Sequence, residues 1–159
     1  MSGDLAARIG AHAFFAGLTP AHRAMLATMA MPAAFDAGAH IFGENEPAQH
    51  FWLLDTGLVA VQLLVPGRGD LAVETLVGGT VLGWSWLYPP YRWTFGAQAL
   101  EPTTAVAFDA EAVRSRCAAD PEFGYAMLNC FTPVIIERLQ NTRLRLLDLY
   151  APAGARADG

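Results

Sequence analysis

Phe35-Asp36-Ala37-Gly38-Ala39-His40-Ile41-Phe42-Gly43-Glu44-Asn45-Glu46-Pro47-Ala48 is followed, after Gln49-His50, by Phe51-Trp52-Leu53-Leu54-Asp55-Thr56-Gly57-Leu58-Val59. Apolar runs of strand length are cut here by turn signals at Gly38, Asn45 and Gly57. The pattern continues to Phe108, with runs at Leu58 to Val65, Leu71 to Leu76 and Thr94 to Leu100 and further turns at Gly67, Gly69 and Gly78-Gly79. Pro66-Gly67-Arg68-Gly69-Asp70 predicts a hairpin turn. Many short strands with regularly placed glycines predict a β-sandwich or small barrel over residues 35–108.

On either side the period becomes helical. Residues 5–31 predict N-terminal helices, with Leu5, Ile9, Phe14, Phe15 and Leu18 at helix-like spacing. Thr19-Pro20 supplies an N-cap and an N1 proline, and Pro32 is expected to end the second helix. Residues 109–150 predict C-terminal helices, the first capped by Asp109 and the second opened by Asp120-Pro121. In the second, Ile135, Leu139, Thr142, Leu146 and Leu149 step 4-3-4-3, the spacing of a dimerisation seam. Pro133 is expected to kink this helix or split it, with Thr132 capping the second piece. Residues 151–159 are small and polar and are expected to be a disordered tail.

The 159 residues suit one domain. Ten basic residues, all arginine, stand against fifteen acidic ones, a net charge of −5, and 53% of the chain is hydrophobic. Such a composition argues against disorder and against a free-standing nucleic-acid binder, which needs a basic field to displace phosphate counterions. No signal peptide or membrane span is read. Cys117 and Cys130 have the spacing of two buried thiols in a reducing cytoplasm, and no zinc site is expected from four scattered histidines, His12, His22, His40 and His50. Neither a nucleophile–base pair nor a metal cluster points to an enzyme, so no catalytic residue, metal or cofactor is expected.

The segment Phe35–Ala48, continued through Val59, resembles the cyclic-nucleotide-binding domain of the bacterial catabolite-activator and FNR regulator superfamily. Gly38 and Gly57 match that family's turn glycines, and Asn45 stands where the family prefers glycine, a residue that also tolerates positive φ. Leu76-Val77-Gly78-Gly79-Thr80-Val81-Leu82-Gly83 is similar to the entry into its phosphate-binding cassette. The resemblance covers roughly residues 10–150. It implies an α+β domain, a jelly-roll β-barrel flanked by N-terminal helices and a long C-terminal dimerisation helix. Regulators of this superfamily continue into a winged helix-turn-helix. This chain, ending nine residues after Tyr150, is expected to lack one and not to bind DNA directly.

The cassette departs from the family. Where nucleotide binders carry a ribose-binding glutamate after the glycine, this chain has Gly83-Trp84-Ser85-Trp86; where they carry a phosphate-binding arginine, it has Arg92-Trp93-Thr94-Phe95. Two arrangements stand open. Trp84, Trp86 and Trp93 fill the barrel, giving a ligand-free scaffold or adaptor; or Gly83, Trp84, Ser85, Trp86, Arg92, Trp93 and Thr94 form a remodelled site for a small anionic or nucleotide-like ligand, with Arg92 as the anion clamp and Ser85 as a donor. Arg92 could instead be an exposed arginine stacked on Trp93 or Tyr91. The expected function is a regulatory or sensory module responding to a ligand or a protein partner, a homodimer in the cytoplasm.

Overall fold

A computed structural model describes residues 2–150, with side chains for residues 4–148. The expected tail at 151–159 and the side chain of Leu149 lie outside the described residues. Helix α1 (Ser2–Ala11) and a 3₁₀ turn (Ala13–Phe15) lead to α2 (Pro20–Ala27), whose N-cap Thr19 accepts a hydrogen bond from the His22 amide at 3.1 Å. Leu5, Ile9, Phe15 and Leu26 are buried, so one stripe of each element closes the barrel's end. Asp55 fastens α1 to the barrel by accepting from Arg8 and by facing His12 Nε2 at 2.9 Å.

Eight strands follow: β1 (Ala30–Phe35), β2 (His40–Phe42), β3 (His50–Thr56), β4 (Leu58–Val65), β5 (Gly69–Val77), β6 (Val81–Leu82), β7 (Gly96–Ala99) and β8 (Thr103–Asp109). They form two four-stranded antiparallel sheets, ordered β1-β8-β3-β6 and β2-β7-β4-β5, which face each other as the jelly roll. The core between them holds Trp52, Leu54, Leu82, Ala105 and Ala107 from one sheet and Phe42, Val59, Val61 and Ala97 from the other, while Phe51, Leu53 and Phe108 lie on the first sheet's other face, where the helices cover it, as strand alternation dictates.

The N-terminal boundary differs from expectation. The helical region stops at Ala27 and the barrel starts at Ala30, five residues before Phe35. Ala30-Met31-Pro32-Ala33-Ala34 has neither β-branched nor alternating residues, so its composition hides a strand. It is one because β8 offers a full-length partner, in register from Ala30↔Phe108 to Phe35↔Thr103. Pro32 is accommodated because β1 is the sheet's edge, where a missing donor costs least.

The turns take the backbone their residues allow. Asn45 sits at φ 66°, and Gly57 at φ 109° lies so close to β8 that a Cβ would be 2.2 Å from Thr103 Oγ1. The β4–β5 hairpin turns through Pro66, Gly67 and Arg68.

Helix α3 (Ala110–Ala119) is capped by Asp109, which accepts from the Ala112 amide at 3.1 Å, and α4 (Pro121–Tyr150) by Asp120, which accepts from the Phe123 amide at 3.2 Å. The expected split at Pro133 does not occur: α4 is one helix of 30 residues, and Thr132 caps nothing. Proline removes the amide that would bond the carbonyl of Asn129, but both residues are on the exposed side of the helix, where a lost backbone bond costs least. Among the described residues no helix is long and apolar enough to cross a membrane.

Candidate functional site: a cavity between the cassette and helix α4

Strand β6 ends at Leu82, and Gly83 turns the chain at φ 96°. A Cβ at Gly83 would be 2.6 Å from Cη2 of Trp93, so the indole of Trp93 rests on the glycine itself. That indole stacks on Phe42 at 3.9 Å between centroids and lies near Trp52 at 6.1 Å. Trp84 follows, half-buried, and a 3₁₀ turn (Ser85–Leu87) sends Trp86 into the core. There its ring stacks on Phe51 at 4.3 Å and meets Phe131 of α4 edge-on at 5.3 Å. The Trp86 indole N–H is buried without a partner among the described residues.

Residues 91–93 run antiparallel to 45–48: the Asn45 amide donates to the Trp93 carbonyl at 2.8 Å, the Trp93 amide to Glu46 at 3.0 Å, and the Ala48 amide to Tyr91 at 2.8 Å. Along this extended segment side chains alternate, so Trp93 pointing inward obliges Arg92 to point outward. Arg92 is exposed, and its Nη1 donates to the Asn45 carbonyl at 2.7 Å. The expected anion clamp therefore does not face the barrel. The arginine that stacks on Tyr91 is Arg114, 4.2 Å from the ring centroid, with its Nη1 donating to the Trp86 carbonyl at 2.8 Å.

A cavity of about 190 Å³ remains beside the stacked rings. The cassette gives one wall: Gly83, Trp84, Ser85, Trp93, Thr94 and Phe95. Helix α4 gives another: Ile135, Arg138, Leu139 and Thr142. Strands β4 and β5 contribute Val61, Val73 and Glu74. Five of the seven cassette residues picked out from sequence thus meet at one cavity, while Trp86 belongs to the core and Arg92 to the outer surface. Ile135 and Thr142 are half-buried against it; Leu139, 60% exposed, borders the mouth and the outer face of α4 together. Leu146 is 40% exposed.

The cavity's charged groups are a pair that sequence reasoning missed. Arg138 Nε lies 3.6 Å from Glu74 Oε2, with side chains only 11% and 19% exposed, and Arg138 Nη2 donates to the Val81 carbonyl. Burial lowers the Arg138 pKa from the ordinary arginine value, and Glu74, then Glu137, act against that. The two residues are 64 positions apart, so no local motif joins them. One signal was available: Ile135, Arg138, Leu139 and Thr142 fall at i, i+3, i+4 and i+7, on one helical face. Elsewhere, burial pushes the Cys117 thiol up to about 11, with Asp120 adding to the effect, and burial raises Cys130 too. Among the described residues no group of three or more His, Cys, Asp or Glu could hold a metal ion.

Comparison with known proteins accords with this architecture. The profile of the cyclic nucleotide-binding domain matches residues 32–120. Over 148 residues, 92% of its length, the chain is 30% identical to the CRP-like cAMP-activated global transcriptional regulator of Mycobacterium tuberculosis, and it spans 62% of that protein. In three dimensions it is similar to a cyclic nucleotide-binding domain from Methylobacillus flagellatus, with TM-score 0.77 at 16% identity, covering 95% of this chain and 85% of that one. It is also similar to the sensor domain of the transcriptional regulator DNR from Pseudomonas aeruginosa, with TM-score 0.69 at 21% identity, covering 87% and 93%. At such identities the structural likenesses speak for the fold alone. The profile match over more than half of the sequence goes further: this chain belongs to the cyclic nucleotide-binding domain family.

Proposed function

We propose that the protein is a cytoplasmic regulatory module in which occupancy of the cavity is read by helix α4, and that its cassette has given up cyclic nucleotides. One observation carries this reading: Ile135, Arg138, Leu139 and Thr142 wall the cavity, and Leu139 also borders the exposed apolar face of α4. A ligand that moves this wall alters that face, a shape change of the kind that couples two sites. The face is the seam of a homodimer through Ile135, Leu139, Thr142, Leu146 and Leu149, because an apolar stripe on a weakly charged chain favours self-association. Signalling passes to a protein partner and involves neither catalysis nor direct contact with nucleic acid.

Loss of the nucleotide follows from chemistry. An indole at Trp84 cannot accept a ribose hydroxyl proton, and Arg138 already faces Glu74. The second reading, a ligand-free scaffold, draws on Trp86 and Trp93, which are packed as core. Ser85→Phe separates the two, since it fills the cavity from the cassette side. Sedimentation should then give a homodimer dissociation constant changed about tenfold, within the usual coupling range. An unchanged constant favours the scaffold.

A further inference from the structure

We propose that the cavity takes an uncharged molecule of one or two aromatic rings, held by apolar contact and one hydrogen bond at Ser85. This rests on the regulatory reading above and names the ligand class for the same site.

Size comes first. At about 190 Å³ the cavity falls below the roughly 300–1,000 Å³ of sites for drug-sized ligands. It slightly exceeds an engineered apolar cavity of about 150 Å³ in another protein, which stays dry and binds benzene. Lining chemistry comes second. Trp84, Trp93 and Phe95 offer ring faces or edges, and Val61, Val73 and Ile135 offer branched aliphatic surface. A flat ring recovers more contact there than a flexible chain, which would lose rotamer freedom.

Charge is decisive. Glu74 and Arg138 stand 3.6 Å apart in the wall and neutralise each other, and Arg138 also donates to Val81. A phosphate or carboxylate entering the cavity would meet no unpaired cation among the described lining residues, and a buried unpaired charge is strongly disfavoured. One buried polar side chain remains available among the described lining residues. Ser85 is 8% exposed and lines the cavity, and its hydroxyl has no hydrogen-bond partner among the described residues. An N–H or O–H on the ring satisfies it.

The test uses the purified 159-residue chain with indole, toluene, indole-3-acetate and cAMP, followed by melting curves and calorimetry. Indole at a hundred times its dissociation constant should raise the melting midpoint by roughly 5–10 °C. Toluene should also bind, indole-3-acetate at least tenfold more weakly than indole, and cAMP not at all. Ser85→Ala should weaken indole about two- to tenfold and leave toluene unchanged. Val73→Phe should abolish binding of both, with its own melting transition reporting that it folds; if it does not fold, Thr94→Trp at the exposed mouth serves the same purpose. Neither probe binding up to its solubility limit, indole-3-acetate binding more tightly than indole, or binding that survives the blocking variant would each overturn the proposal. None of these outcomes depends on the homodimer constant of Ser85→Phe, so this proposal and the regulatory reading fail separately.

Discussion

Helix α4 has two halves with similar apolar residues and opposite fates. Phe123, Met127 and Phe131 in the first half are wholly buried against the barrel and N-terminal helices, with Phe131 in ring contact with Phe14 at 4.9 Å and Phe51 at 5.3 Å. Leu139, Leu144 and Leu147 in the second half are 60%, 66% and 64% exposed. Hydrophobicity alone does not bury a side chain; a surface must lie opposite. The first half finds that surface within this chain. The second half leaves the barrel after Arg138 and Thr142, and its leucines meet no covering surface among the described residues. The cavity lies at the join.

Truncation gives the widest contrast between the halves. Phe131→Ala should cost about 3–5 kcal/mol in urea denaturation, while Leu144→Ala should stay within about 0.5 kcal/mol. Comparable losses at the two sites would break the distinction. Gly83→Ala comes next, at about 2–3 kcal/mol, since it combines a left-handed φ with a Cβ driven into the indole of Trp93. Trp93→Leu in the same chain should recover part of that loss, because the two changes share one contact.

Leu139→Asp should leave the fold intact and weaken association. Sedimentation at micromolar concentration should move from about twice 17.0 kDa to 17.0 kDa. A wild-type monomer would assign the exposed half to a different partner. Smaller still is the effect of cAMP or cGMP at millimolar concentration, where no shift of the melting midpoint is expected in the wild type or in Arg92→Ala. A shift of several degrees would restore the nucleotide site. The least change of all should come from alkylating reagent at pH 8. Cys117, with its pKa pushed up to about 11, is then thiolate in only about one molecule in a thousand, and Cys130 is shifted in the same direction. Fast labelling of Cys130 would mean that the buried half of α4 opens.

What the sequence makes legible is local. Thr19-Pro20, Asp109 and Asp120-Pro121 announce helix starts through side-chain chemistry that acts over three residues, and the structure has caps at all three. The turns at Gly38, Asn45, Gly57 and Gly67 are readable because each needs positive φ, which few residues tolerate. Strand β1 is not readable, since its only reason to be a strand is the edge of β8. The site divides in the same way. The cassette is contiguous, and five of its residues reach the cavity, whereas Arg92 was misdirected because a single position of alternation decides inside from outside. Glu74 and Arg138 meet only after the barrel has closed and α4 has crossed it.

The seating of Trp93 on Gly83 also limits which single substitutions the cassette can accept. In related nucleotide binders the resemblance implies an arginine at or beside this position. A lone Trp93→Arg step would leave a guanidinium among Phe42, Trp52 and Gly83, beside a cavity whose carboxylate, Glu74, already faces Arg138, and with an indole's volume left empty. A lone Trp84→Glu step would bring an acid to a cavity where Arg138 is already engaged by Glu74. Each substitution is unfavourable while the other residue stays as it is, so a single step toward the family's cassette pattern costs stability. The packing of one ring thus ties the cassette positions together, so that they change in concert or at a cost to the fold.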